Sequence, residues 1–208
     1  MLEVKVHAVR SPYADTLTAY RDQHGRQLVP GSDPDPFDHL LHKLAQRRAE
    51  DIESRFSSGE YNNNSVGFVL FDPTAPRSLY PPEKAVLALI EVGPDGRSYL
   101  VNGLAKGCEH LSHGTSAGTQ VYTQIQRLPD GSFRYGHSAE IEGTIVGVSG
   151  LSEIQDRFQA QLLAAEFNYE IAYWRARWLA EHSDIHWYGN DDSPAGHYTR
   201  FLAETLPD

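Results

Sequence analysis

From Thr119 to Gly150 the chain is rich in the alternation of apolar and polar residues that marks half-buried strands, and from Ser152 the period becomes helical with no linker between. A chain with this junction must build a sheet and lay a long helix directly beside it. Val121, Thr123 and Ile125 fall on one face, and Tyr122, Gln124 and Gln126 on the other. Pro129-Asp130-Gly131 then turns the chain and Phe133 and Tyr135 resume the alternation, which predicts a hairpin. The run from Ile141 to Val148 brings a further strand after a glycine-containing bend.

Ser152 and Gln155 make a capping-box pair that satisfies amide donors at a helix start. Beyond them, Ile154, Phe158, Leu162, Ala165 and Tyr169 form one apolar stripe, and Leu163, Phe167, Ile171, Trp174 and Trp178 a second. Two stripes are too wide for a helix that lies on one sheet with its back in water. Either a C-terminal segment or another subunit must cover the second, so a homo-oligomer is expected.

The remaining elements follow from pattern and punctuation. Leu2, Val4 and Val6 alternate with Glu3, Lys5 and His7 as a strand, and Ser11 to Asp35 reads as an irregular excursion. Asp35-Pro36 is a good helix start, with Phe37, Leu40, Leu41, Leu44, Ala45 and Ile52 on one face and an end near Ser57-Ser58-Gly59. Val66 to Phe71 and Ala85 to Val92 are short apolar runs, most simply buried strands. After the turn Gly93-Pro94-Asp95-Gly96, a short strand at Tyr99 to Val101 followed by a helix is expected, the alternative being one helix from Ser98 to about His113. The tail is loop-like from Asp184, with a short helix near His197 to Thr205. The 208 residues thus read as one α/β (α+β) domain: an N-terminal strand and extension over 1–35, a core over 36–182 and a C-terminal loop and helix over 183–208.

The net charge of −10 argues against a nucleic-acid partner, because such a surface repels phosphate. No run approaches the roughly 18 apolar residues of a membrane span, and the N-terminus lacks a signal-peptide layout. The single cysteine, Cys108, cannot close an internal disulfide, which suits a reducing compartment, and a cytoplasmic location is expected.

Several residues carry chemical potential. His110 and His113, three apart, share a face if helical, and His182 and His186, four apart, can chelate a metal on a helix. Neither pair has the glutamate of an H-E-x-x-H motif. Lys106 is surrounded by small residues, so its ammonium can reach a cleft wall and meet an anionic ligand. Cys108 reads as a small buried hydrophobe rather than a nucleophile, although His110 is near in sequence. Gly147-Val148-Ser149-Gly150 runs into a capped helix whose free amides suit an anion; the plainer reading is a tight strand-to-helix turn.

The stretch Ala139 to Gly150, followed by Asp156 and the alanine-rich Ala160 to Ala165, resembles the C-terminal half of the GlcG/HbpS-like haem-binding family. There a strand pair closes with a glycine-valine run and leads into a helix that begins near an aspartate, and Leu104-Ala105-Lys106-Gly107 is similar to its A-x-x-K-A helix, with glycine in place of the last alanine. The family's arginine-bearing R-M-D-G-like segment has no counterpart here. The resemblance implies a profilin-like sandwich, an antiparallel sheet flanked by helices, with a pocket for haem or another small molecule. The resemblance carries over Lys106 and the turn with Gly147, Ser149 and Gly150 as expected binding residues, but it transfers no iron-ligating histidine; His110 and His113, from their own spacing, are the expected binding residues for haem, with either as iron ligand. The alternatives are an enzyme using Lys106, Cys108, His110 and His113 in acid–base or nucleophilic chemistry, and an oligomeric scaffold.

Overall fold

A computed structural model describes residues 2–9, 36–116 and 137–181. The hairpin expected at Thr119 to Tyr135, the excursion from Ser11, the His182/His186 pair and the C-terminal tail lie outside them, as do the side chains of Trp174 and Trp178. By packing, the chain divides into two units, Met1–Ala172 and Tyr173–Asp208. The second contributes, among the described residues, only the end of one helix.

The first unit is α+β: an antiparallel sheet flanked by helices. Its strands are β1 (Val4–Ala8), β2 (Val66–Phe71), β3 (Val86–Val92), β4 (Ser138–Ile141) and β5 (Thr144–Ser149), in the order β1-β3-β2-β5-β4. All four pairings are antiparallel. The helices are α1 (Pro36–Ser57), α2 (Gly96–His113) and α3 (Glu153–Glu181). No described helix is long and apolar enough to cross a membrane.

The register sorts the side chains into two faces. Val69 lies between Leu89 and Gly147, while Phe68 lies between Ile90 and Val148. The first set faces α2, where Val69, Phe71, Ala85, Val86, Leu111 and Ile145 form a buried cluster against Leu100, Leu104 and Cys108. The second set backs the layer of α1 and α3: Thr144 donates a hydrogen bond to Asn168 of α3, and Phe37 of α1 meets Phe167 of α3 edge-on at 6.3 Å. With helices on both faces, β2 and β5 are buried along their whole length, which is why their sequences run apolar rather than alternating.

Three details differ from the sequence reading. Tyr99 to Val101 is helix from the start, because β3 already pairs with β1 on one side and β2 on the other and offers no free edge. Gly67 clears the space: a Cβ there would lie 2.7 Å from the Leu100 nitrogen and 2.8 Å from the Tyr99 carbonyl carbon. The run Ile141 to Val148 contains the bend itself, for Glu142 and Gly143 have φ of 50° and 84° and join β4 to β5 in a two-residue hairpin. On α3 the stripe that packs inward is Leu163 and Phe167, with Ala160 and Ala164; Ile154, Phe158 and Tyr169 face outward.

One of the closest backbone approaches among the described residues is between glycines. A Cβ on Gly147 would fall inside the envelope of the Gly103 carbonyl oxygen, and one on Gly103 would meet the Gly147 oxygen at 3.2 Å. Two bare backbones therefore set how closely α2 lies on β5. Gly147→Ala should push α2 off the sheet and lower stability by about 1–3 kcal/mol, the usual cost of overpacking, read as a lower urea midpoint at unchanged slope.

Candidate functional site

Gly103, Lys106, Gly107 and His110 fall at helical spacings of three and four and form the buried face of α2. The glycines allow the approach; the lysine and histidine carry polar chemistry into it. Lys106 is 2% exposed, and its ammonium donates to the Val148 carbonyl at 2.7 Å and to Asp156 Oδ2 at 2.8 Å. Val148 lies one residue beyond the last β4–β5 pair, Ser138 with Gly147. Just before β4 starts, the lysine reaches from the α2 face to the first turns of α3 on the other. The anion expected to meet Lys106 is thus supplied by the chain itself.

The turn from Gly147 to Gly150 is similarly engaged. The Leu151 amide donates to Asp156 Oδ1 at 3.0 Å, and the Ser152 amide to Gln155 Oε1 at 3.2 Å. The Gly150 carbonyl accepts from Asn63 at 2.8 Å, and Ser149 is buried on the strand. A carboxylate from within the helix takes the place at the positive end of its dipole that a bound anion would take. Burial pushes the Asp156 carboxyl up to about 6, against the opposing pull of Lys106 and the Leu151 amide.

Two buried imidazoles stand at the start of β4. His110 Nδ1 is 2.8 Å from Ser138 Oγ, and its Nε2 is 3.2 Å from Glu140 Oε2. Ionised Glu140 can only accept, so Nε2 carries the hydrogen and Nδ1 accepts from the Ser138 hydroxyl. Arg77 pairs with the same Glu140 from the loop after β2. His137 Nε2 is 2.6 Å from Glu153 Oε1 of α3, and its Nδ1 is buried without a hydrogen-bond partner among the described residues. Burial holds both rings below the usual imidazole value, against the pull of Glu140 on one and Glu153 on the other.

Of the residues expected from the sequence, Lys106 and His110 are buried near the start of β4, each held by its own partners. His113 lies exposed on the last turn of α2, so the two histidines do not converge, and no group of three or more metal-ligating residues occurs among the described residues. Cys108 packs on the apolar cluster, where burial raises its thiol to about 11, with Glu83 adding to the effect. A protonated thiol on a different side of the helix does not join Lys106 in nucleophilic chemistry. His110 is also a poor fit to haem iron, since Ser138 and Glu140 occupy both of its nitrogens.

His137, Glu140 and Glu153 were not anticipated, and Asp156 entered only through the family resemblance. The available signal was the alternation of Ser138 and Glu140 with Ala139 and Ile141: just before the glycine bend, a strand-like alternation carries polar residues on one face.

Asp156→Asn keeps an acceptor for the Leu151 amide but strands the Lys106 charge, and should cost about 3–5 kcal/mol in urea unfolding; Lys106→Met with Asp156→Asn should cost less than Asp156→Asn alone. For the imidazoles, folded values below the unfolded 6.5 mean stability that is fully present above pH 6.5 and lost as pH falls through the folded values. Asp156, raised from 3.8 to about 6, acts in the opposite sense: its stability is present below 3.8 and lost as pH rises through about 6. Comparing the wild type with a His110→Gln/His137→Gln variant cancels that contribution. The wild type's advantage should shrink between about pH 7.5 and about pH 5.5.

Against this geometry, no family model, curated protein or solved structure matches the chain.

Proposed function

We propose that the chain is a small-molecule-binding domain whose site lies at the start of β4, between the buried face of α2 and the first turns of α3. One observation carries this reading: Lys106, His110, His137 and Asp156 are all buried there, and among the described residues nothing partners the second ring nitrogen of His137. A core of this size gains nothing by burying four ionisable groups when apolar ones would pack at lower cost. Buried polar groups that converge from several elements are the usual lining of a ligand site.

Haem is the first ligand to test, as the family resemblance implies. The outward residues of α3, Ile154, Phe158 and Tyr169, supply the surface for the homo-oligomer that belongs to the same reading. Hemin titrated into the full chain should shift the Soret band, and His110→Ala, His113→Ala and His137→Ala identify which imidazole the shift depends on. The broader reading is tested by denaturing natively purified protein and measuring released small molecules by mass spectrometry. An unshifted Soret band removes haem; a chain that also releases no stoichiometric compound removes the binding domain.

A further inference from the structure

His110 and His137 are held alike and differ at one atom. In each, a carboxylate accepts from Nε2–H: Glu140 at 3.2 Å for the first and Glu153 at 2.6 Å for the second. At His110 the remaining nitrogen is filled by the Ser138 hydroxyl. At His137 no described residue fills it. The His137 side chain is only 7% exposed, so a bare acceptor lies inside the described structure, an arrangement that costs stability unless something fills it. The same strand satisfies one imidazole and leaves its neighbour open.

The surroundings give that open nitrogen a character. With Nε2–H committed to Glu153, Nδ1 presents a lone pair, and Glu153 is placed to hold the imidazolium that forms when Nδ1 takes a proton. The ring is neutral near pH 7, because burial lowers its affinity for protons and the nearby Arg157 and Lys106 charges lower it further against the pull of Glu153. Those same cations favour an anion next to the ring. Lys106 uses two of its three N–H donors within the described structure, on Val148 and Asp156. Glu153 is 36% exposed, so the carboxylate side of the pair reaches solvent, while Nδ1 is buried.

We propose that His137 and Glu153 form a proton-accepting dyad for the weakly acidic hydroxyl of a small organic ligand, a phenol or an enol, which binds as its anion. The O–H bond of the ligand breaks and its electron pair stays on oxygen. The proton forms an N–H bond at Nδ1, and the Glu153 carboxylate holds the resulting imidazolium. No oxidant or further reactant is involved. His137 is the acting group, Glu153 positions it, and the inference rests on the small-molecule-binding reading above.

The test uses the full chain with 4-nitrophenol, whose anion absorbs in the visible, at a pH where the free probe is mostly neutral. Nitrogen-15 histidine spectra report on His137 separately from the probe's colour. Without probe, His137 should be the Nε2–H tautomer with a bare Nδ1; with probe, Nδ1 should gain a proton as the anion band appears. His137→Gln should bind without colour, and Glu153→Gln should lower the anion fraction about tenfold, a change of about 1.4 kcal/mol. A protonated Nδ1 in the probe-free chain overturns the dyad. A probe that shifts the His137 signals but stays colourless overturns the proton transfer while leaving binding intact. A probe that does not bind overturns the proposed ligand class, and the binding reading is then decided by the released-compound measurement.

Discussion

The ion pair between Lys106 and Asp156 is the interaction on which the arrangement of layers depends. The ammonium comes from the helix on one face of the sheet and the carboxylate from the helix on the other, and they meet just before the start of β4. A pair this buried contributes little net stability, because desolvation offsets attraction. What it fixes is position. With Lys106 committed to Val148 and Asp156, α2 can neither slide along β5 nor lift from it, and Gly103 stays against Gly147. The same carboxylate caps the Leu151 amide, so one side chain joins the two layers and starts α3.

Elements governed by local chemistry were legible in the sequence. The proline start and apolar spacing of α1, the uninterrupted runs of β2 and β3 and the sheet-to-helix junction at Ser152 each follow from neighbouring residues. Features decided by distant parts of the chain were not. Tyr99 to Val101 has strand-like composition, yet the absence of a free edge on β3 makes it helix. The two stripes of α3 are equally apolar in sequence, and only the docking of Leu163 and Phe167 tells inside from outside. For the site, Lys106 stood out by its small neighbours, whereas His137 and Glu153 meet only because β4 and α3 are brought together.

The layer of α1 and α3 shows how an acidic chain organises its charges. Lys43 and Arg47 of α1 both reach Glu170 of α3, and buried Arg48 reaches Glu166 and Gln159. Gln159 in turn donates to Asp51 and Tyr61. The basic side of α1 faces acidic α3, so the net charge of −10 describes the surplus rather than the distribution. Glu170 is held below the usual carboxylate range by its hydrogen bond from Lys43 and by Arg47, so this clamp remains ionised well into mild acid.

The close seating of α2 also bears on ancestry. Apolar core positions accept one another's side chains as long as total volume is kept. The contact between Gly103 and Gly147 has no such latitude, since any side chain at Gly147 meets main-chain oxygen that cannot rotate away. Chains descended from a common precursor would therefore drift freely through the apolar positions of β2, β3 and the inner side of α3 while keeping Gly67 and this pair of glycines, together with a lysine three residues after the first of the pair and an aspartate nine after the second. Kinship in this architecture is written in where side chains are missing.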